Sequence, residues 1–252
     1  MKPEERIHKK IERVVEILKK SKYVVAFSGA GVSVESGIPP FRGADGIWNH
    51  YDEKMFELDY FLSNPEKVWK ILISGFYRNI VDACPNGAHI ALARMQIRGQ
   101  IKGLITQNID GLHSRAGSRN VLEIHGNAHN LVCMKDGSKY TISDFDLKSA
   151  PRCPKCRSIL KPDFVFFGER LPQKELEAAH DLAANCDAMI VVGTQNKVYP
   201  AAEIPLIARQ NANSATIIEI NPQRGDVAIG FSNNHIQTTA VKALEEIEEK
   251  MF

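Results

Sequence analysis

The stretch "YVVAFSGAGVSVESGIPPFRG", residues 23 to 43, decides the fold. It opens on an unbroken apolar run, Tyr23 to Phe27, of the kind a strand shows when both of its faces are covered. Small residues follow at once. Gly29 and Gly31 permit a tight turn and a close approach of backbone to a pyrophosphate, with a following helix pointing its N-terminal NH groups at the anion. As a dinucleotide fingerprint the match is incomplete, because the third glycine of G-x-G-x-x-G falls on Val34. A dehydrogenase would run that helix into a second strand ending in an acid for the ribose hydroxyls. Here Gly37, Pro39 and Pro40 break the helix within about two turns, and the chain becomes a loop whose Phe41 and Arg42 are suited to lie over a bound ligand.

Outward from this segment, four more apolar runs read as buried parallel strands: "GLIT" (103 to 106), "VLEIH" (121 to 125), "DAMIVV" (187 to 192) and "ATIIEI" (215 to 220). Between them, "AHIALARMQIRG" and "LPQKELEAAHDLAANC" carry the 3.6-residue rhythm of covering helices. The pattern predicts a doubly wound α/β sheet. Each run ends in small or polar residues: "SGAG", "QNID", "GN", "GTQN" and "NPQ". In an open parallel sheet ligands bind beyond the carboxyl ends of the strands, so five such endings point to one crevice.

Composition bounds the rest. The chain has 252 residues, 44% of them hydrophobic, enough to bury a sizeable core. Its 32 basic and 30 acidic residues nearly cancel, leaving no global field to attract nucleic acid or an acidic membrane. No direct nucleic-acid binding is expected. The opening segment places Ile7, Ile11, Val14, Val15 and Leu18 at helical spacing among charges, which reads as an amphipathic surface helix and not a signal peptide. No apolar run approaches the roughly 20 residues that cross a bilayer. The expectation is a soluble, cytoplasmic protein in which thiols stay reduced and clustered cysteines bind metal.

Two segments interrupt the βα alternation. Residues 43 to 84 read as an aromatic-rich helical module, and residues 128 to 162 hold Cys133, Cys153 and Cys156. The expected division is a large domain in three parts (1–42, 85–127 and 163–252) and one small lobe made of the two insertions. Cys153 and Cys156 form a Cys-x-x-Cys pair; the matching partner of Cys133 would stand at position 136, which is Asp136. Sixteen residues separate Asp136 from Cys153, as in a C-x-x-C-x(15 to 20)-C-x-x-C zinc pattern with one thiolate replaced by a carboxylate. Aspartate is a legitimate zinc ligand, so Cys133, Asp136, Cys153 and Cys156 are the candidate set, with His129 as a further candidate.

Gln107, Asn108 and Asp110 follow an apolar strand directly, and Ile109 among them suggests that the segment folds inward. His125 ends "VLEIHGN" on the same edge, where its near-neutral intrinsic pKa suits a general base and Gly126 would leave its face unobstructed. There is no serine elbow nearby.

Together "GAGVSVESGIPPFRG", "TQNIDGLHSRAG", "EIHGN", the cysteine cluster, "KPDFVFFGE", "VVGT" with "VYPAA", and "EIN" resemble the sirtuins, NAD-dependent protein lysine deacylases, over roughly residues 24 to 221. The resemblance implies a Rossmann-like large domain and a small lobe built from a zinc ribbon and a helical module. It implies a cofactor loop of Gly29, Ala30, Gly31, Phe41 and Arg42; a ribose and nicotinamide pocket of Gln107, Asn108 and Asp110; and an adenosine side of Gly193, Thr194 and Asn221, with Ala240 near the C-terminus. His125 would be the base, with Asn108 its catalytic companion. Phe167, Gly168 and Glu169 would face Val198 and Tyr199 around an acylated-lysine peptide held by strand addition. NAD would be consumed as a substrate, giving nicotinamide, O-acyl-ADP-ribose and free lysine, and zinc would be structural. Sirtuins that prefer acidic acyl groups carry a Tyr-x-x-Arg pair at positions that align with Ile73 and Phe76, so neutral acyl groups are favoured here.

Two departures touch the adenosine side: Gln195 stands where a small hydroxyl residue follows Gly-Thr in the family, and Thr238 replaces the glycine expected before Ala240. They leave two alternatives to deacylation, a fold that binds NAD or ADP-ribose without turnover and a mono-ADP-ribosyltransferase.

Overall fold

A computed structural model describes residues 2–40, 46–49, 51–224 and 234–252. The N-terminal helix α1 (Pro3–Lys20) leads into β1 (Val24–Ser28), whose five residues are all buried. β2 (Ile101–Thr106) and β3 (Val121–Glu123) extend the sheet on one side of β1, and β7 (Ala188–Val192), β8 (Thr216–Ile220) and β9 (Asn234–Ile236) extend it on the other. The order is β3-β2-β1-β7-β8-β9, parallel throughout. The chain thus changes direction of growth between β1 and β7, and such a switch point opens a crevice above the strand ends.

Alternate residues of the strands feed two cores. Val24 and Ala26 join Leu104, Ile190 and Ile218 beneath α1, α5 (Gly87–Ile97) and α9 (Ala240–Met251). Val25 and Phe27 join Ile105, Met189 and Ile217 beneath α7 (Gln173–Asn185) and α8 (Ile204–Gln210). The amphipathic reading of α1 holds: Ile11, Val14, Val15 and Leu18 are its buried residues. No helix among the described residues is long and apolar enough to cross a membrane.

The sheet differs from the sequence reading in two places. β9 supplies a sixth strand, only three residues long and beginning with Asn234 and His235, too short and too polar to show as an apolar run. β3 ends at Glu123, so His125 lies in the turn between β3 and β4 (Gly126–Val132), which belongs to a separate antiparallel sheet.

That second sheet, of order β5-β4-β6 with β5 (Lys139–Thr141) and β6 (Lys161–Phe164), packs with the helical segment. The segment holds α2 (Leu58–Ser63), α3 (Pro65–Ile71), a π-helical turn (Leu72–Phe76) and α4 (Tyr77–Val81). Phe56, Phe61, Trp69, Phe76 and Tyr77 share one core with Leu131, Cys133, Cys153, Phe164 and Phe166. Trp69 stacks on Tyr77 at 5.6 Å and its Nε1 donates to the Leu160 carbonyl at 2.7 Å, joining the two insertions. A buried indole that satisfies its N–H in this way anchors both segments.

Candidate active site

The ends of β1 and β7 interlock. Gly31 N donates to the Gly193 carbonyl at 2.8 Å, and Gly29 N to that of Val192 at 3.0 Å. A Cβ on Gly31 would stand 2.7 Å from Gly193 Cα, and one on Gly29 2.7 Å from Thr194 Cβ. Gly193 itself has φ +66, and a Cβ there would meet Val32 N at 2.4 Å. The glycines are therefore required by the contact between these two strand ends, in addition to the tight turn expected of them. Nor does a full helix follow them: 3-10 turns at Ala30–Val32 and Val34–Ser36 take its place. Phe41 and Arg42 lie outside the described residues.

Above this floor opens a cavity of about 630 Å³, within the ordinary range for ligand sites. Its wall contains Gly29, Ala30, Gly31, Gln107, Asn108, His125, Gly193, Thr194, Asn221 and Ala240, and its rim contains Phe167, Gly168, Glu169, Val198 and Tyr199. Sequence positions from five strand ends thus meet in one space. Asp110 stands behind the wall instead of in it. Its carboxylate accepts from Ser33 Oγ at 2.7 Å and from Leu112 N at 2.9 Å.

Behind Asn108 runs a buried polar network. Asn108 N donates to Thr106 Oγ1 (3.0 Å) and Asn108 Nδ2 to Ser33 Oγ (3.1 Å); Ser28 Oγ donates to Thr106 Oγ1 and meets His113 Nε2 at 2.8 Å. His89 faces Ser33 from α5, and its ring lies 4.8 Å from that of His113. Burial lowers the His89 pKa to about 4, against the pull of Asp110, and pushes His113 well below the ordinary imidazole value, assisted by His89. Both rings are neutral at neutral pH. Two atoms of the network have no hydrogen-bond partner among the described residues, His113 Nδ1 and, in a residue that lines the cavity, the acceptor Asn108 Oδ1. Such an atom costs about 1–3 kcal/mol until a donor reaches it, so a ligand hydroxyl or amide fits there.

His125 is fixed from three directions. Its Nδ1 lies 2.9 Å from the Gln107 carbonyl, an acceptor only, so Nδ1 carries the proton and Nε2 keeps its lone pair. Its carbonyl accepts from Val165 N at 2.9 Å. The turn that bears it is closed by Asn127 Nδ2 on both carboxylate oxygens of Glu123, at 2.8 and 2.9 Å. Gly126 has φ +75, and a Cβ there would meet the Asp163 carbonyl at 2.2 Å; the glycine admits β6 and does not merely clear the imidazole face. Burial lowers the His125 pKa, opposed by the bond to Gln107. The ring is a neutral base.

Of the two departures, Thr238 follows β9 with its N donating to the Ile236 carbonyl at 3.1 Å. Gln195 turns toward Gln223, its Nε2 3.4 Å from Oε1, while Asn221 Nδ2 donates to the Thr194 carbonyl at 2.9 Å. Sequence reasoning missed Ser33, Asn196 and Lys161. Ser33 was legible only as part of the glycine loop, and Asn196 lines the cavity with its Nδ2 on the Ala202 carbonyl at 2.9 Å.

The metal candidates converge. Ligand atoms of Cys133, Asp136, Cys153 and Cys156 all lie within 4.8 Å of one another, and Cys133 Sγ is 3.5 Å from Cys156 Sγ. A tetrahedral site with zinc–sulfur bonds of about 2.3 Å has edges of about 3.8 Å, so the set fits zinc. The two halves are built alike. Cys133 N donates to Ser138 O and Gly137 N to Cys133 O; Cys153 N donates to Ser158 O and Arg157 N to Cys153 O. Gly137 and Arg157 both have positive φ, +72 and +62. Asp136 therefore occupies in the first knuckle the place of Cys156 in the second. Tyr140 OH, 3.3 Å from Cys153 Sγ, lowers that thiol to about 7, toward the thiolate a metal requires. His129 is turned elsewhere, its Nε2 3.0 Å from the Asp110 carbonyl.

Comparison with known proteins agrees with this layout. The model of the Sir2 family matches residues 29–200. An NAD-dependent protein deacylase of Pyrococcus furiosus is 45% identical over 246 residues, covering 93% of this chain and 96% of that protein. An NAD-dependent protein deacetylase of Thermotoga maritima is 38% identical, with 94% and 98% covered. Among solved structures, a Sir2–p53 peptide–NAD+ complex matches with a TM-score of 0.86 at 34% identity, over 95% of this chain and 98% of that one. With its ordered motifs, its glycine-interlocked strand ends and likeness of this extent, the chain belongs to the Sir2 family, the sirtuins.

Proposed function

We propose that this sirtuin removes acetyl or other neutral acyl groups from protein lysine side chains, consuming NAD and yielding nicotinamide, O-acyl-ADP-ribose and free lysine. The observation that carries the reading is His125, a neutral imidazole whose Nδ1 is committed to Gln107 while Nε2 is left as a base in the cavity that also holds the unpaired Asn108 acceptor. NAD supplies an electrophilic ribose carbon once its bond to nicotinamide breaks, and the acyl oxygen of the lysine substrate attacks there. His125 Nε2 then takes the proton of a ribose hydroxyl, whose oxygen attacks the acyl carbon, and the addition of one water there expels free lysine and leaves the acyl group on the sugar; the Gln107 carbonyl stabilises the imidazolium through Nδ1–H. Asn108 orients the sugar. Asp110 acts from behind, through Ser33.

Gly29, Ala30, Gly31, Gln107, Gly193, Thr194, Asn221 and Ala240 form the dinucleotide side, with Phe41 and Arg42 assigned by resemblance. Phe167 to Glu169 and Val198 with Tyr199 receive the peptide. The exposure of Phe167 (43%) and Tyr199 (67%), both lining the cavity, supports this assignment. Near the base the wall carries Phe56, Phe76, Ile109, Phe164 and Phe166, a lining that would strand the carboxylate of an acidic acyl group. Cys133, Asp136, Cys153 and Cys156 hold a structural zinc that takes no part in the chemistry. The shared aromatic core supports the small lobe as two insertions, 43–84 and 128–162, although β6 carries the lobe's sheet on to Phe164. A cytoplasmic location belongs to the same reading, in which the clustered cysteines are held by metal.

Incubation with an acetylated peptide and NAD is the test. Nicotinamide, deacetylated peptide and acetyl-ADP-ribose are expected in equal amounts. ADP-ribose on protein without deacetylated peptide would move the reading to mono-ADP-ribosyl transfer, and NAD recovered intact would move it to binding without turnover.

A further inference from the structure

Lys161 is the one lysine among the fully buried side chains of the described residues, 2% exposed, and it lies outside the cavity wall. Its ammonium uses its three donors on the Pro162 carbonyl (2.9 Å), the Phe164 carbonyl (2.8 Å) and the Glu169 carboxylate (3.0 Å), and it sits 4.8 Å from the centre of the Phe166 ring. The same Glu169 oxygen accepts from Phe166 N at 3.0 Å, while Glu169 N donates to the Phe166 carbonyl at 3.0 Å. Residues 166 to 169 are thereby closed into a turn, with Gly168 at φ +84 and open space where its Cβ would be. The glycine is there for its φ. The outer side of the turn is pinned as well: Phe167 N donates to the Phe56 carbonyl at 2.7 Å and Leu58 N to the Phe167 carbonyl at 3.0 Å.

Glu169 therefore turns one carboxylate oxygen inward, to a buried cation, while the residue still lines the cavity. A buried ammonium whose carboxylate is removed keeps its desolvation cost and loses its partner, so the pair holds the turn in one position. We infer that Lys161 is a positioning residue for the acyl-peptide site, fixing through Glu169 the turn whose backbone faces Val198 and Tyr199; the inference rests on the peptide-binding role proposed above. A pair at the surface, Lys139 of β5 with Asp163 of β6 at 2.8 Å, provides the contrast, since its lysine is 70% exposed and surface pairs contribute little.

The test compares wild type, Lys161→Met, Lys161→Arg, Glu169→Gln and Lys139→Ala. It uses steady-state kinetics on an acetylated peptide and NAD, with hydrogen exchange of residues 161 to 171 measured by mass spectrometry. Lys161→Met and Glu169→Gln should each raise the peptide KM about tenfold, leave the NAD KM within about twofold, and speed exchange at residues 165 to 170. Lys161→Arg should restore most of the peptide KM, and Lys139→Ala should change nothing. An active wild type whose Lys161→Met and Glu169→Gln variants keep its peptide KM and exchange pattern would overturn the inference. So would a parallel loss in kcat and in both KM values. If Lys161→Met does not fold, Glu169→Gln decides. A wild type that releases no nicotinamide defeats the deacylase reading instead, and the exchange arm then decides alone whether Lys161 holds the turn.

Discussion

On the sheet side of the cavity, Gly29 and Gly31 lie against Gly193 and Thr194 with no room for one more carbon, and the polar groups behind them bond mostly to one another, leaving Asn108 Oδ1, His113 Nδ1 and Asn196 Oδ1 without a partner among the described residues. On the lobe side, Phe56, Phe76, Phe164 and Phe166 meet ring to ring, at centroid distances from 5.0 to 6.5 Å. The first wall is backbone against backbone, and its neighbours cannot yield. The second is made of side chains that repack, in a core that also includes Cys133 and Cys153 of the candidate metal set. Changes on the sheet side should therefore act at once on dinucleotide binding, and changes on the lobe side should act by degrees and through the metal.

His125 sits where the two walls meet and should show the largest effect. His125→Ala is expected to lower kcat for deacylation about 10²–10⁴-fold while NAD affinity stays near wild type, as read by turnover assay and calorimetry. The pH profile gives the same residue a signature. Its pKa is lowered from 6.5, so the base is present above pH 6.5 and is lost as pH falls through the depressed value. The wild type should show an acid limb below pH 6.5. Unfolding sharpens the contrast between the halves: His89 titrates at 6.5 when unfolded and at about 4 when folded, so its contribution to stability is complete above pH 6.5 and is lost progressively down to about 4. That loss belongs to the sheet side.

Gly31→Ala ranks next. The added methyl meets Gly193 Cα and carbonyl, neither of which is a flexible side-chain end. It should cost about 1–3 kcal/mol by thermal unfolding and abolish measurable NAD binding, whereas Phe76→Leu, on the lobe side, should leave NAD binding intact.

Asp136 should give the smallest effect. Zinc is expected at one ion per chain by elemental analysis. Asp136→Cys should keep it and Asp136→Ala should weaken its retention against a chelator about 10–100-fold, with kcat reduced less than in His125→Ala. Full zinc retention in Asp136→Ala would remove the carboxylate from the ligand set.

The sequence made some of this visible and hid the rest for identifiable reasons. The knuckle spacing placed Asp136 opposite Cys156 because ligand order is local, and four of the five strands showed as apolar runs because β1, β7 and their neighbours β2 and β8 are largely buried, whereas β3, expected to be buried, is a half-buried edge strand. β9 did not show, since "NHI" has one apolar residue in three. The partner of Gly31 is Gly193, from a strand far along the chain, so the glycine loop read as a cradle for a ligand when half of its reason is a neighbouring backbone. Lys161 opens the quoted motif "KPDFVFFGE", but its role went unread for the opposite reason: a lysine reads as surface until its charge is seen to be buried.

The central claim is that one cavity brings the nicotinamide-side ribose of NAD to Nε2 of His125 with the acyl-lysine beside it. A crystal structure with NAD and an acetylated peptide bound together tests it most directly. The account predicts a ribose hydroxyl within about 3.2 Å of Nε2, with the peptide backbone between residues 167–169 and 198–199. A ribose facing away from the imidazole, or the two ligands in separate cavities, would contradict it.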